Sequence, residues 1–424
     1  MYTRRAFLGT TAATTLATTL TGNNEAAEGR KQKIAVVTTA WHFQSHAQHM
    51  VDRFLVGYPH EGEWHHPQCQ VVAAYVDQTP DGDLSEQRAA EFGFQIYPTI
   101  DQALRQGTDK LAVDGVLLIA EHGEYPRNEK GQILYPRSEF FQQIVNVFEK
   151  DGRSVPVFND KHLSYRFDLA KQMVDNAHQL SFPLMAGSSL PVTWRLPSVE
   201  MPANCRVREA LMVGCGGSDA MDFHALEAMQ CMLERRRGGE TGVKSVQVVV
   251  GEQVWKTGKQ GVWSRDLLEM ALSRSNELQG ISRTEAKPQD LTRSGQLQEL
   301  VNDPVAYFIE YIDGTRATLL MLNGAVADYT FAANAVDENQ RSHKLSTLFY
   351  LPPTPNVTYS AELMNRVEHM LITGKSQYPV ERTLLVSGML ESCLESKHLN
   401  GVTVSTPHLA VRYEPTAESQ FARS

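Results

Sequence analysis

Five short apolar runs, separated by stretches able to form amphipathic helices, occupy the first 190 residues and restrict the fold more than any other feature. They are 33–38 (KIAVVT), 71–76 (VVAAYV), 113–120 (VDGVLLIA), 155–159 (VPVFN) and 182–187 (FPLMAG). Near-continuous apolar strands belong to a parallel sheet covered by helices on both faces, because neither face meets water. Segments 45–55, 84–92, 138–150 and 166–179 supply the helices. The expected fold class is α/β, with an N-terminal doubly wound Rossmann-like domain.

After Pro191 the texture changes. A strand over 243–250 and two more over 306–311 and 315–322, joined by Asp313-Gly314, predict antiparallel pairing. A helix over 224–234 ends at an Arg-Arg-Arg-Gly-Gly breaker, and 284–302 reads as a polar connection. A helix over 381–396 and a strand over 409–413 complete the pattern. The second domain is therefore expected to be α+β with a mostly antiparallel sheet. At 424 residues the chain fits two domains. Their expected limits are 31–190 and 191–413, with a leader at 1–30 and a polar tail at 414–424.

The leader reads as an address. Arg4 and Arg5 precede the mildly apolar run AFLGTTAATTLATTL and a polar exit, too short and too Thr-rich for a membrane span. This is similar to a twin-arginine export signal, so the protein is expected outside the cytoplasm, in the periplasm, with no transmembrane segment after processing. A formal charge of -9 disfavours nucleic acid as a partner. Cys69, Cys205, Cys215, Cys231 and Cys393 show no CxxC spacing, which gives neither a disulfide framework nor a cysteine metal site.

Ligands of open α/β sheets settle beyond the carboxyl ends of the strands. After the first strand stands Thr38-Thr39-Ala40-Trp41-His42, where a dinucleotide site would show GxGxxG. Trp41 would obstruct close backbone approach, although Thr38, Thr39 and the following helix N-terminus can still meet anionic oxygen. Asp77 ends the second strand, where it can accept from a ribose hydroxyl. Glu121, His122 and Glu124 follow the third. Asp160, Lys161 and His162 follow the fourth, where a lysine can donate to a substrate hydroxyl. His42, His46 and His49 recur at helical spacing, but three ligands on one helix converge poorly, and no metal is assigned.

The joined pattern resembles the glucose-fructose oxidoreductase, inositol dehydrogenase and rhizopine-catabolism family of nicotinamide-dependent sugar oxidoreductases. The likeness runs from about residue 33 to 413. It is strongest in VPVFNDKHLS (155–164), residues 170–177, LMAG (184–187) and GGSDAMDFHALE (216–227). Lys161 matches the lysine of the family's Glu-Lys-Pro element, with Asp160 and His162 replacing its Glu and Pro. His224 matches the active-site histidine and Glu227 the acidic residue three positions later, while Ala220 replaces an Asp, so that Asp219 or Asp222 serves or that role is absent.

The resemblance implies hydride transfer between NAD or NADP and a sugar or polyol hydroxyl. His224 would be the base, Lys161 would steady the alkoxide and Glu227 would orient His224. Thr38, Thr39, Trp41, His42, Asp77, Glu121 and His122 would line the cofactor cleft. It also implies a homo-oligomer through the exposed sheet face of the second domain. The rival is a carbohydrate- or polar-metabolite-binding protein, or a non-redox enzyme, that keeps the scaffold without the dinucleotide site. Glu121, His122, Glu124, Lys161 and His224 would then hold the ligand.

Overall fold

The computed structural model describes residues 30–277 and 291–423. The arginine pair of the leader lies outside them, as do residues 284–290 of the polar connection, whose described remainder carries two short helices, Leu291–Ser294 and Gln296–Leu300. Six parallel strands make the first sheet: β1 (Gln32–Thr38), β2 (Cys69–Val76), β3 (Gln95–Ile96), β4 (Gly115–Ile119), β5 (Val157–Asp160) and β6 (Leu184–Gly187). Their order is β3-β2-β1-β4-β5-β6. The order reverses between β1 and β4, so the ligand crevice of this fold opens at the carboxyl ends of those two strands.

Helix α1 (His46–Val56) forms because Ser45 caps it by accepting from the Gln48 N–H and because Ala47, Met50, Val51 and Phe54 fall on one face. Gly57, at φ +89°, ends it. Helices α2 (Ser85–Phe92), α3 (Ile100–Arg105), α4 (Arg137–Asp151) and α5 (Phe167–Gln179) follow. One face of the sheet packs on α3, α4 and α5. The other packs on α1 and on a helix from the last third of the chain, which supplies Leu363, Met364, Val367, Met370 and Leu371. Each such side chain adds about 1.5–3 kcal/mol on burial.

The second sheet has eight strands: β7 (Trp194–Leu196), β8 (Arg206–Gly214), β9 (Val243–Val250), β10 (Val305–Tyr311), β11 (Arg316–Met321), β12 (Tyr329–Val336), β13 (Ser342–Tyr350) and β14 (Val404–Ser405). Their order is β14-β9-β10-β11-β8-β12-β13-β7. Only the β8–β11 pair is parallel, so the sheet is mostly antiparallel as expected. Its inner face carries α6 (Ala220–Leu233) and α10 (Val380–His398), and their core runs on into that of the first sheet.

The outer face of this sheet, the expected oligomer surface, is covered from within the chain. Helices α7 (Glu252–Lys259) and α8 (Arg265–Leu272), with the turn between them, bring Val254, Trp263, Leu267 and Leu268 onto Leu211, Val213, Leu320 and Ala332. One expectation is corrected. Residues 409–413 form no strand: Pro407–Leu409 is a 3-10 turn, and Tyr413 bridges only Glu240. The end of the chain is docked, with Phe421 buried under the Arg195 guanidinium and the Ala422 N–H bonded to the Val192 carbonyl. Helix α9 (Tyr359–Thr373) is the one that returns to the first sheet.

Candidate functional site

The carboxyl ends of β4 and β5 each present two consecutive titratable residues, Glu121-His122 and Asp160-Lys161, and the pairs divide between two environments. Glu121 and Lys161 enter a closed ion cluster. Lys161 Nζ donates to Glu121 Oε1 at 2.8 Å, the Arg137 guanidinium donates to Glu121 Oε2, and Arg137 Nη1 donates to His162 Nε2 at 3.2 Å. All four residues are buried. Burial alone would raise the Glu121 carboxyl, but the Lys161 and Arg137 charges overcome it and hold it well below the usual range. His162 is held neutral, first by burial and then by Arg137.

His122 and Asp160 instead face a cavity of about 270 Å3, lined also by His46, His49, His224, Tyr329 and Tyr359. The histidines come from the first turn of α1, the loop after β4 and α6. His122 lies 5.2 Å, ring to ring, from His46 and 5.3 Å from His42. His46 Nδ1 bonds Asp160 Oδ2 at 2.6 Å, and the Asp160 side chain is 0% exposed against 17% for His46. Burial lowers His49 to about 4 and His122 to about 3, with the neighbouring His46 adding to both, and holds His224 well below the imidazole range. Asp160 Oδ1, His122 Nε2, His49 Nε2 and His224 Nδ1 are buried without a hydrogen-bond partner. Unsatisfied groups converging on one cavity mark a site shaped for a polar ligand, since each costs about 1–3 kcal/mol while unpaired.

Backbone strain gathers in the same place. Gln44, His122, Lys161 and Asp219 have φ between +59° and +72°, a conformation that side chains with a Cβ rarely adopt. At His122 and Lys161 it occurs directly beyond adjacent strand ends.

The other expected site residues separate clearly. His224 lines the cavity, whereas Lys161 is not among the lining residues. Glu227 does not orient His224: its Oε2 accepts from the Ser188 N–H and hydroxyl at 2.8 and 2.7 Å, and Oε1 meets Thr383 Oγ1 at 3.2 Å. The Thr383 hydroxyl already donates to the Ala186 carbonyl at 2.8 Å, so a proton on Glu227 completes the contact. Burial accordingly raises Glu227 to about 7. This carboxyl lies against Gly187, where a Cβ would meet Oε1 at 2.3 Å, and it ties β6 to α6 and α10. Asp219 and Asp222 serve the start of α6, the Asp222 carboxylate accepting from the Asp219 N–H at 3.2 Å. Glu124 contributes its backbone, exchanging hydrogen bonds with the Gln78 side chain.

In the expected cofactor cleft, the Thr38 and Thr39 hydroxyls donate to the carbonyls of Ile119 and Glu121 at 2.8 and 2.7 Å. Trp41 is 0% exposed and stacks on Phe94. His42 bonds the Phe43 carbonyl through Nδ1 at 3.0 Å. Asp77 is exposed, with Tyr75 and Tyr125 hydroxyls donating to its two oxygens at 2.7 and 2.6 Å. Two features that hold a dinucleotide on this fold are thus in place, a helix N-terminus after β1 and an acidic residue at the end of β2. The third, a glycine turn open to the pyrophosphate, is replaced by a turn anchored in the core by Trp41. Among the described residues no group of three or more His, Cys, Asp or Glu is arranged to hold a metal ion.

Sequence reasoning missed Arg137, Ser188, Tyr329 and Tyr359. Arg137 opens α4 and looks like a solvated charge until the fold buries it beside Glu121. Tyr359 opens α9, which carried no sequence expectation.

No family model matches the chain, and no curated protein matches it. Solved structures do. GenD2 from gentamicin A biosynthesis, in complex with NAD, is 13% identical over 89% of this chain and 97% of its own, with a TM-score of 0.53. Myo-inositol dehydrogenase from Lactobacillus casei, in complex with NAD(H) and myo-inositol, is 13% identical over 88% and 96%, with a TM-score of 0.52. Apo scyllo-inositol dehydrogenase from the same organism is 10% identical over 89% and 98%, with a TM-score of 0.51. At this identity the likeness is one of fold, and the chain has the two-sheet fold of these dehydrogenases along nearly their whole length.

Proposed function

We propose that the protein is an oxidoreductase acting on a hydroxyl of a small sugar-like or polyol substrate, with a nicotinamide nucleotide, NAD or NADP, as its cofactor. The observation that carries this reading is the cavity at the ends of β1, β4 and β5, whose buried nitrogen and oxygen atoms lack partners. Its volume of about 270 Å3 suits one small polar ring, being below the range of about 300–1,000 Å3 common for larger ligands. Solved proteins of the same fold carry NAD, and one carries myo-inositol as well.

Asp77 would hold the adenosine ribose, and the first turn of α1 would face the phosphates. The bound nicotinamide would supply the hydride acceptor. The chain's own part is to bind and orient. His224 and His122 contact substrate hydroxyls, while Lys161 and Glu227 hold the walls of the site through Glu121 and Ser188. Mass spectrometry of small molecules released from gently purified protein, paired with calorimetric titration of NAD and NADP, tests the reading. A nicotinamide nucleotide that copurifies or binds supports it. A polyol signal with no nucleotide binding sinks it.

That second outcome is the alternative, a carbohydrate- or polar-metabolite-binding protein or a non-redox enzyme. The specific observation favouring it is the turn filled by Trp41, together with the tyrosine hydroxyls on Asp77. We further propose export by the twin-arginine route to the periplasm. Arg4→Lys combined with Arg5→Lys should retain the protein in the cytoplasm, and normal export of that variant would exclude the route.

A further inference from the structure

A reaction that removes a hydroxyl proton needs an acceptor that reaches the cavity, keeps a lone pair there and is stabilised once charged. The groups of the site can be sorted on those terms. Lys161 is bonded to Glu121 and does not line the cavity. Glu227 is committed to Ser188 and Thr383. His224, His122 and His49 line the cavity, yet no carboxylate bonds their rings, and a proton placed on any of them would be a buried charge without a bonded counterion.

His46 differs. Its Nδ1 is 2.6 Å from Asp160 Oδ2, and the Asp160 side chain is completely buried at the end of β5. A carboxylate cannot donate, so Nδ1 carries the ring's hydrogen in the neutral form and Nε2 keeps the lone pair. The ring lines the cavity. Asp160 thereby fixes the tautomer and balances the imidazolium that forms, the logic by which a carboxylate supports a histidine base on unrelated folds.

We infer that His46, oriented by Asp160, is the group that takes the proton from the substrate hydroxyl. The O–H bond breaks, its proton bonds to Nε2, and the electron pair remains on oxygen to form the carbonyl. The carbon loses hydride, with its electron pair, to the nicotinamide nucleotide named above. Asp160 is a positioning residue. The assignment of the proton rests on the oxidoreductase reading, whereas the geometry of the dyad does not.

The experiment has two arms on the full chain. In NAD-linked oxidation of myo-inositol, His46→Asn, whose amide can still donate to Asp160, should lower kcat by about 10²–10⁴-fold with KM changed less than about threefold. Imidazole added to His46→Ala should restore part of the turnover. A His46→Asn enzyme that keeps more than a tenth of its kcat, or whose loss lies in KM alone, overturns the inference. If the wild type oxidises no myo-inositol, the redox reading fails for this substrate, and the second arm decides the dyad alone. In ¹⁵N-histidine-labelled protein, NMR should find the neutral His46 ring protonated on Nδ1, and on Nε2 in Asp160→Leu. A wild-type ring protonated on Nε2 overturns the dyad.

Discussion

The ion cluster around Glu121 and the cavity around His46 are built from the same two strand ends, and one is closed where the other is open. In the cluster, both Glu121 oxygens are bonded, by Lys161 and Arg137, and the atoms left without partners are Arg137 Nε and His162 Nδ1, neither of which lines the cavity. In the cavity, one residue away along each strand, Asp160 Oδ1 and His122 Nε2 have no partner. Glu121 and Lys161 serve one environment while the neighbouring His122 and Asp160 serve the other, and the chain leaves the extended conformation there, with positive φ at His122 and Lys161. The lesson is that residue type does not mark the reactive group at these positions. What marks it is whether the folded chain has already used the group's hydrogen-bonding capacity.

The sharpest way to break the contrast is to remove the centre of the closed cluster. Glu121→Ala leaves Lys161 and Arg137 buried without their shared counterion, and breaking a buried ion pair in this way costs about 3–5 kcal/mol. Urea unfolding should show that loss. A change under about 1 kcal/mol would mean that the cluster is not the closed, supporting half of the site.

Glu227 gives the next largest effect and a definite pH window. Its carboxyl is raised from 4.5 to about 7 in the folded chain, so the folded state holds this proton more tightly than the unfolded state. The stabilisation is therefore full below about pH 4.5 and is lost as pH rises through about 7, amounting to about 3 kcal/mol. Glu227→Gln keeps an acceptor for Ser188 and a donor for Thr383, and should remove this dependence while gaining stability at pH 8. Equal pH profiles for both proteins would contradict the protonated contact.

The strands and helices that feed these two environments were largely legible in the sequence. Ile34 to Val37 are apolar without interruption because both faces of β1 are covered, and Ser45 announces α1. The covering helix α9 was not legible, since Leu363, Met364, Val367 and Met370 fit many partners and only the fold assigns them to the first sheet. Within the site, Asp160, Lys161, His122 and His224 stood out by position after strands or by family likeness. Their division into closed and open groups could not be read, because it depends on Arg137, whose burial is a tertiary fact. The spacing of His42, His46 and His49 correctly drew attention to α1, but the partner that distinguishes His46 is 114 residues away.

Asp77 is an intermediate case, exposed yet already accepting from two tyrosines. A carboxylate oxygen has room for a second donor, so a bound ribose can share it. Asp77→Asn should weaken NAD binding about tenfold, equivalent to about 1.4 kcal/mol, with thermal stability nearly unchanged. Unchanged NAD affinity would place Asp77 with the closed cluster, as a residue consumed by the fold.

The smallest expected effect is also the most discriminating. His224 Nδ1 is buried without a partner, and burial keeps the ring uncharged. His224→Leu replaces that ring with an apolar side chain beside Met221 and Leu351 in the cavity wall. Removing an unsatisfied buried polar atom costs nothing in hydrogen bonds and relieves a desolvation penalty, so stability should stay the same or rise by up to about 1 kcal/mol. Binding of a polar ligand should fall at the same time, because the cavity loses one of its free partners. A group kept at some cost to the fold is kept for a ligand. If His224→Leu were instead destabilised as strongly as Glu121→Ala, His224 would belong to the closed half, and the contrast between the two environments would fail at the residue that family likeness singled out.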